Sequence, residues 1–147
     1  MTRPQVPDTG VFIAAIRNLD RWWSLERALA SGQLWLSSVV VCELYAGTRS
    51  ADDALRINRI IAAMERIDHV LVPTAAEWAR AGRLMARHVR LRGPIRPRDH
   101  LADVLILVSA ARLRGQVLTA NLRHFEAWAK LATAARLDVT VTPFEAR

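Results

Sequence analysis

The apolar run "VLILVSAA" spans positions 104–111, carries no charge, and has Asp103 at its head. Asp103 shares a face with Ile106, Leu107, Ala110 and Ala111 at offsets of three, four, seven and eight, the spacing of an α-helix. That periodicity predicts a helix over 99–114, closed by Gly115 as a left-handed terminator. Shorter apolar runs, at Gln5–Asp8, Leu34–Ser37, His69–Val72, Gln116–Thr119 and Asp138–Val141, predict strands of the length typical of a parallel core sheet. Between them lie helix starts. Ser37 or Ser38 can cap a helix running through Thr48, and Ser50 with Asp53 resembles a capping box for a helix reaching Ile67. Thr74 with Glu77 forms another before "WARAGRLMARHV". Strands alternating with helices predict an α/β fold: a short, mostly parallel central sheet flanked by helices. The segment 92–98, "RGPIRPR", is the one pronounced loop signal.

Composition places this pattern in one domain over 1–147, since 147 residues with 52% hydrophobic content can bury a sizeable core. No apolar run approaches the length of a membrane span, and "MTRPQVPDTG" lacks the apolar centre of a signal peptide, so a cytoplasmic location without membrane attachment is expected. The single cysteine, Cys42, cannot make an internal disulfide or a multi-thiolate metal site. Charge adds more. A net +7 with 21 basic residues, of which only Lys130 is lysine, favours a polyanionic partner, nucleic acid first.

Of fourteen acidic residues, three stand apart from solvated surroundings. Asp8 follows the first strand and precedes "TGVFIAAI", at the strand end where open α/β sheets bind ligands; capping the next helix is its simpler role. Helical spacing puts Glu43, in "SSVVVCELYAG", on the face of Val39, Val40, Ala46 and Gly47, where a buried ion pair with arginine is the structural alternative. Asp103 in a first turn is also favoured by the helix dipole. Gathered in one pocket the three would repel one another. A hard cation such as Mg²⁺ or Mn²⁺ takes oxygen ligands, relieves that repulsion, and can activate water against a phosphodiester.

Three pieces of the chain, "PDTGVFIAA", "SSVVVCELYAG" and "ADVLILVSAARLRGQVLTANLRHF", resemble the PIN-domain ribonucleases, most closely the VapC toxins of bacterial toxin–antitoxin pairs. They occur in the family's order with family-like separations. The resemblance implies that Asp8, Glu43 and Asp103 are catalytic and metal-binding, and that Asn121 stands at the position of a fourth acid. It implies Mg²⁺ or Mn²⁺ as cofactor, RNA as substrate, a homodimer, and a cognate VapB-like antitoxin as partner. Three departures accompany it. The opening strand "TRPQVP" has two prolines that remove ladder donors; Gly10 replaces a common asparagine; and Asn121 offers a neutral carbonyl in place of a carboxylate.

From Trp78 to Arg98 there are seven arginines and no acid. Arg80, Arg83, Arg87 and Arg90 fall on one helical face, with Trp78, Ala81, Met85 and Val89 opposite. Arg87, Arg92, Arg96 and Arg98, with Thr119, are the candidate contacts to RNA or antitoxin, and a solvated helix face is the plainer reading of the arginines. Trp22, Trp23, Trp35 and Trp128 are expected mainly in packing or at a dimer surface formed by the early helices. His88, His100 and His124 leave open metal-free acid and base catalysis. Beside a metal-dependent toxin endoribonuclease stand two alternatives: a catalytically weakened RNA- or protein-binding module, and a housekeeping RNA-maturation nuclease.

Overall fold

A computed structural model describes residues 2–144. The elements alternate as the pattern predicts. They are β1 (Gln5–Pro7), α1 (Thr9–Arg17), α2 (Leu19–Ala30), β2 (Leu36–Ser37), α3 (Ser38–Ala46), α4 (Ala51–Arg66) and β3 (Val70–Leu71), then α5 (Ala75–Arg92), α6 (Pro97–Arg112), β4 (Gln116–Thr119), α7 (Leu122–Ala134) and β5 (Thr140–Pro143). Every strand pairing is parallel: β1 with β4, β4 with β5, and β2 with β3. A bridge between Gln5 and Leu34 joins the two ribbons in the order β3-β2-β1-β4-β5. The fold is α/β, with a small parallel sheet flanked, among the described residues, by seven helices.

The two prolines spare β1 because of where they fall. Pro4 precedes the strand and contributes only its carbonyl, which accepts from Gln116 N at 2.8 Å, and Pro7 occupies the last register position. Neither place asks proline for a donor. The helix over the apolar run begins and ends two residues earlier than predicted, because Pro97 fits the first helical position, where no N–H is needed. At its far end it is Arg114, at φ 52°, that takes the left-handed conformation predicted for Gly115. Gly115 serves closeness instead: a Cβ there would sit 3.0 Å from Ala110 O and 3.2 Å from Pro4 O, both backbone atoms.

Val104 to Ala110 are all buried, so α6 is apolar on every side and runs through the core against α3, α5, α7 and β4. Ser109 is tolerated there because its hydroxyl donates to Leu105 O at 2.6 Å within its own helix. The Thr74–Glu77 capping box forms as predicted, and Glu77 also takes Arg112 of α6 in an ion pair at 3.1 Å. The Ser50–Asp53 box does not close: Ser50 caps Asp53 N, whereas the Asp53 carboxylate turns to Arg49 N.

On α5 the buried side is Glu77, Ala81, Leu84 and Met85, while Trp78 and Val89, predicted on the apolar face, are exposed. The buried stripe is centred between Glu77 and Met85, and Trp78 and Val89, about three turns apart and at nearly the same angle, lie at its edge. The loop predicted over 92–98 contracts to 93–96, with Arg92 ending α5 and Arg98 inside α6. β5 starts two residues later than predicted because Arg136, at φ 63°, and the bond from Leu137 N to Ala132 O close α7 first.

Candidate active site

Asp8 leaves β1 with extended backbone and caps α1, its Oδ1 accepting from Val11 N at 3.0 Å. The capping role and the strand-end position therefore coincide in one residue. Its other oxygen, Oδ2, accepts from the Thr119 hydroxyl at 2.5 Å. Thr119 ends β4, the strand paired with β1, so the sheet register itself delivers this donor. The same Thr119 oxygen accepts from Asn121 N at 2.9 Å. Thr119 was expected at an RNA or antitoxin surface. It is instead fully buried, and its hydroxyl is spent between Asp8 and the backbone.

Glu43 lies in the middle of α3, whose buried residues are Val40 and Leu44. The carboxylate points away from them and is exposed, against the expectation of an apolar face, because a nine-residue helix needs only a narrow stripe to reach the core. Its Oε1 accepts from the Thr9 hydroxyl at 2.6 Å, and no ion pair holds it among the described residues. Asp103 is half-buried in the second turn of α6. Its carboxyl is pushed up to about 6, first by burial and then by the charges of Asp8 and Glu43. The Asp8 carboxyl is also raised by burial, against the lowering pull of Thr119 and Val11 N.

The structure thus gathers Asp8, Glu43 and Asp103 from a strand end and two helices into one acidic site. His124, on α7, lies within electrostatic reach of Asp8 and Asp103, and His100 within reach of Asp103. Asn121 is exposed at the start of α7 and makes no side-chain cap, so its amide is free beside the site. Gly10 is exposed, and an added Cβ would meet Asp8 Oδ1 at 3.5 Å, an ordinary contact. Nothing local in "PDTG" or "LTAN" marks Thr9 as the partner of Glu43 or Thr119 as the residue that positions Asp8. A hydroxyl's partner is set by a residue remote in sequence.

The donor chemistry fits a hard divalent cation: three carboxylates, of which Asp8 resists ionisation through burial and Asp103 through burial and the charges of the other two. Among the described residues no three His, Cys, Asp or Glu side chains converge closely enough to form a ready cage. Glu43 is turned to Thr9 and Asp8 to Thr119 and Val11 N. An ion that keeps several waters, as magnesium does, is suited to such an open arrangement.

The imidazoles are divided. His88 and His100 pack on the buried Trp128, with ring centroids at 4.7 and 5.4 Å. His88 Nδ1 is buried without a partner, and burial followed by the charge of Arg92 holds His88 below the usual imidazole range. Trp22 and Trp35 pack partly buried against the core, as expected for most of the tryptophans, while Trp23 is half exposed. Arg87, Arg92, Arg96 and Arg98 are all exposed, Arg98 with a loose pairing to Asp99 at 3.9 Å.

The family model of the PIN domain matches residues 6–131. Several solved structures share the fold. VapBC from Salmonella typhimurium, described bound to DNA, superposes with a TM-score of 0.66 at 22% identity, covering 97% of this chain and 98% of that one. VapBC2 from Rickettsia felis, described with a DNA fragment from its promoter, gives 0.63 at 16% identity over 96% and 98%. VapBC-1 from nontypeable Haemophilus influenzae gives 0.58 at 18% identity over 95% and 96%. No curated protein matches the chain.

Proposed function

The chain belongs to the PIN domain family, a family of nucleases, and from that premise we propose that it is a divalent-metal-dependent endoribonuclease acting as the toxin of a toxin–antitoxin pair. The observation that carries this reading is that Asp8 and Glu43 both lie within electrostatic reach of Asp103, whose carboxyl is raised to about 6 by burial first and then by those two charges. Such crowding is costly without a cation, and functional sites are where costs of this kind accumulate. Asp8, Glu43 and Asp103 would hold Mg²⁺ or Mn²⁺, with Asn121 as a neutral neighbour.

When bound, the ion supplies positive charge for the phosphate oxygens and lowers the pKa of the attacking water. The chain supplies the rest. Thr119 and Val11 N fix both oxygens of Asp8, and Thr9 fixes one oxygen of Glu43, so each carboxylate keeps lone pairs aimed by hydrogen bonds made elsewhere. Asp103 moves little because its helix is clamped in the core over its whole later length. Exposed Arg92, Arg96 and Arg98 lead from α5 into α6 and neutralise RNA phosphates approaching the acids. A VapB-like antitoxin as silencing partner, and a homodimer using exposed Trp23 of α2, complete the reading.

The decisive experiment gives single-stranded RNA to the purified protein and to Asp103→Asn, with Mg²⁺ or Mn²⁺ and then with EDTA. Cleavage leaving 5′-phosphate and 3′-hydroxyl ends is expected, abolished by either change. Activity surviving both would refute the metal reading, and 2′,3′-cyclic phosphate products would point to the imidazoles. RNA retarded but never cut would mark a binding module.

A further inference from the structure

The acid cluster lies at the N-terminal end of α1, and a separate cleft of about 370 Å³ opens at that helix's C-terminal end. Arg17, Asn18 and Trp22 line it on one side and Arg56 and Arg59 of α4 on the other, with no acidic residue in its wall. Among the described residues none of the three arginines is in an ion pair. Arg56 donates one bond to Ile16 O at 2.8 Å, which fixes its guanidinium at the rim and leaves other N–H groups unused. A second, smaller cleft shares Ile16 and Arg17 with the first and carries one acid, Asp53, in its wall.

We propose that this arginine-lined cleft is a second anchoring site for single-stranded RNA, holding phosphates on one side of the scissile bond while the acid cluster holds the reacting one. The inference rests on the nuclease reading for its orientation, not for its binding chemistry. Three carboxylates repel the phosphates that flank a bound phosphodiester, so a polyanion threaded through the site needs cations beyond it. α1 is nine residues long, which at about 1.5 Å per residue sets the two ends roughly 12 Å apart. At about 3.4 Å per stacked nucleotide, that is roughly three to four nucleotides from the cut. Arginine suits the task because its planar fork takes phosphate oxygens in pairs, and Trp22, part of whose ring remains accessible, offers a face for stacking a base.

The test is the affinity of labelled single-stranded RNA in EDTA, measured by anisotropy for a dodecamer and for a trinucleotide too short to span α1. The wild-type chain is expected to bind the dodecamer more tightly. Arg59→Glu should weaken dodecamer binding about 5- to 10-fold and reduce the slope of log affinity against log salt by about one to two. Arg17→Ala should give a smaller loss in the same direction, and unchanged thermal melts would exclude misfolding. Unaltered dodecamer affinity and slope would overturn the proposal. So would loss of binding to a glutamate-rich peptide with RNA affinity intact, since the cleft would then be a protein dock. Failure of the nuclease reading shows differently: no cleavage with Mg²⁺ or Mn²⁺, but length-dependent, Arg59-dependent binding retained in EDTA.

Discussion

Thr119 is the residue on which the position of Asp8 depends most directly, because its hydroxyl joins the Asp8 carboxylate to the backbone N–H of Asn121. Thr119→Val keeps the shape and removes both bonds. Cleavage is expected to fall about 10- to 100-fold, as when a ligand's supporting partner is lost, with a stability cost near 1 kcal/mol. Thr119→Ser should recover most of the rate, and cleavage assays paired with thermal melts distinguish the two effects. Asp103 makes a prediction of opposite sign in stability. Its carboxyl rises from an ordinary 3.8 to about 6, so folding favours the protonated form. That favour is complete below pH 3.8 and is lost as pH rises through about 6. Asp103→Asn in EDTA should therefore raise stability at pH 8, by about 1–2 kcal/mol after allowance for solvent screening, and hardly change it at pH 4. Equal effects at both pH values would show that ionisation is not the cause.

At the scale of elements, the junction between α6 and β4 separates two duties that sequence assigns to one glycine. Arg114 bears the left-handed backbone and Gly115 the close approach to Ala110 O and Pro4 O. Gly115→Ala is expected to destabilise by about 1–3 kcal/mol, since both neighbours at 3.0 and 3.2 Å are backbone and cannot swing aside. Arg114→Gly should be neutral or stabilising by up to about 1 kcal/mol. Chemical denaturation of the two variants checks the division. Elsewhere element boundaries moved where a local bond intervened: Pro97 started α6 early, and the closure of α7 through Leu137 delayed β5.

For the molecule as a whole, charge is the dominant long-range quantity. A net +7 with exposed arginines on α5, on the 93–96 loop and around the α1 cleft surrounds an acidic centre with a basic field. RNA affinity should fall steeply with salt. Alanine at Arg92, Arg96 and Arg98 together should reduce the log–log slope by about two, at roughly 0.7 per phosphate contact for a single strand. An unchanged slope would reduce these arginines to a solvated face. The α5 helix and the 93–96 loop are contiguous in the chain, whereas the α1 cleft gathers its arginines from residues 17, 56 and 59.

The alternation of elements, the parallel sheet and the identity of the isolated acids were legible in the chain, because hydrophobic period and capping chemistry act over a few residues and leave local marks. "PDTG", "CELYAG" and "ADVLILV" held the acids in view without any coordinates. Exposure was less legible. Glu43, Trp78 and Val89 carry the spacing of buried residues, yet which stripe of α3 or α5 meets the core depends on neighbours far along the chain. The supporting bonds from Thr119 to Asp8 and from Thr9 to Glu43 span 111 and 34 residues. They belong to the tertiary structure because a hydrogen bond is decided by a few tenths of an ångström between atoms that only the packed sheet and helices bring together.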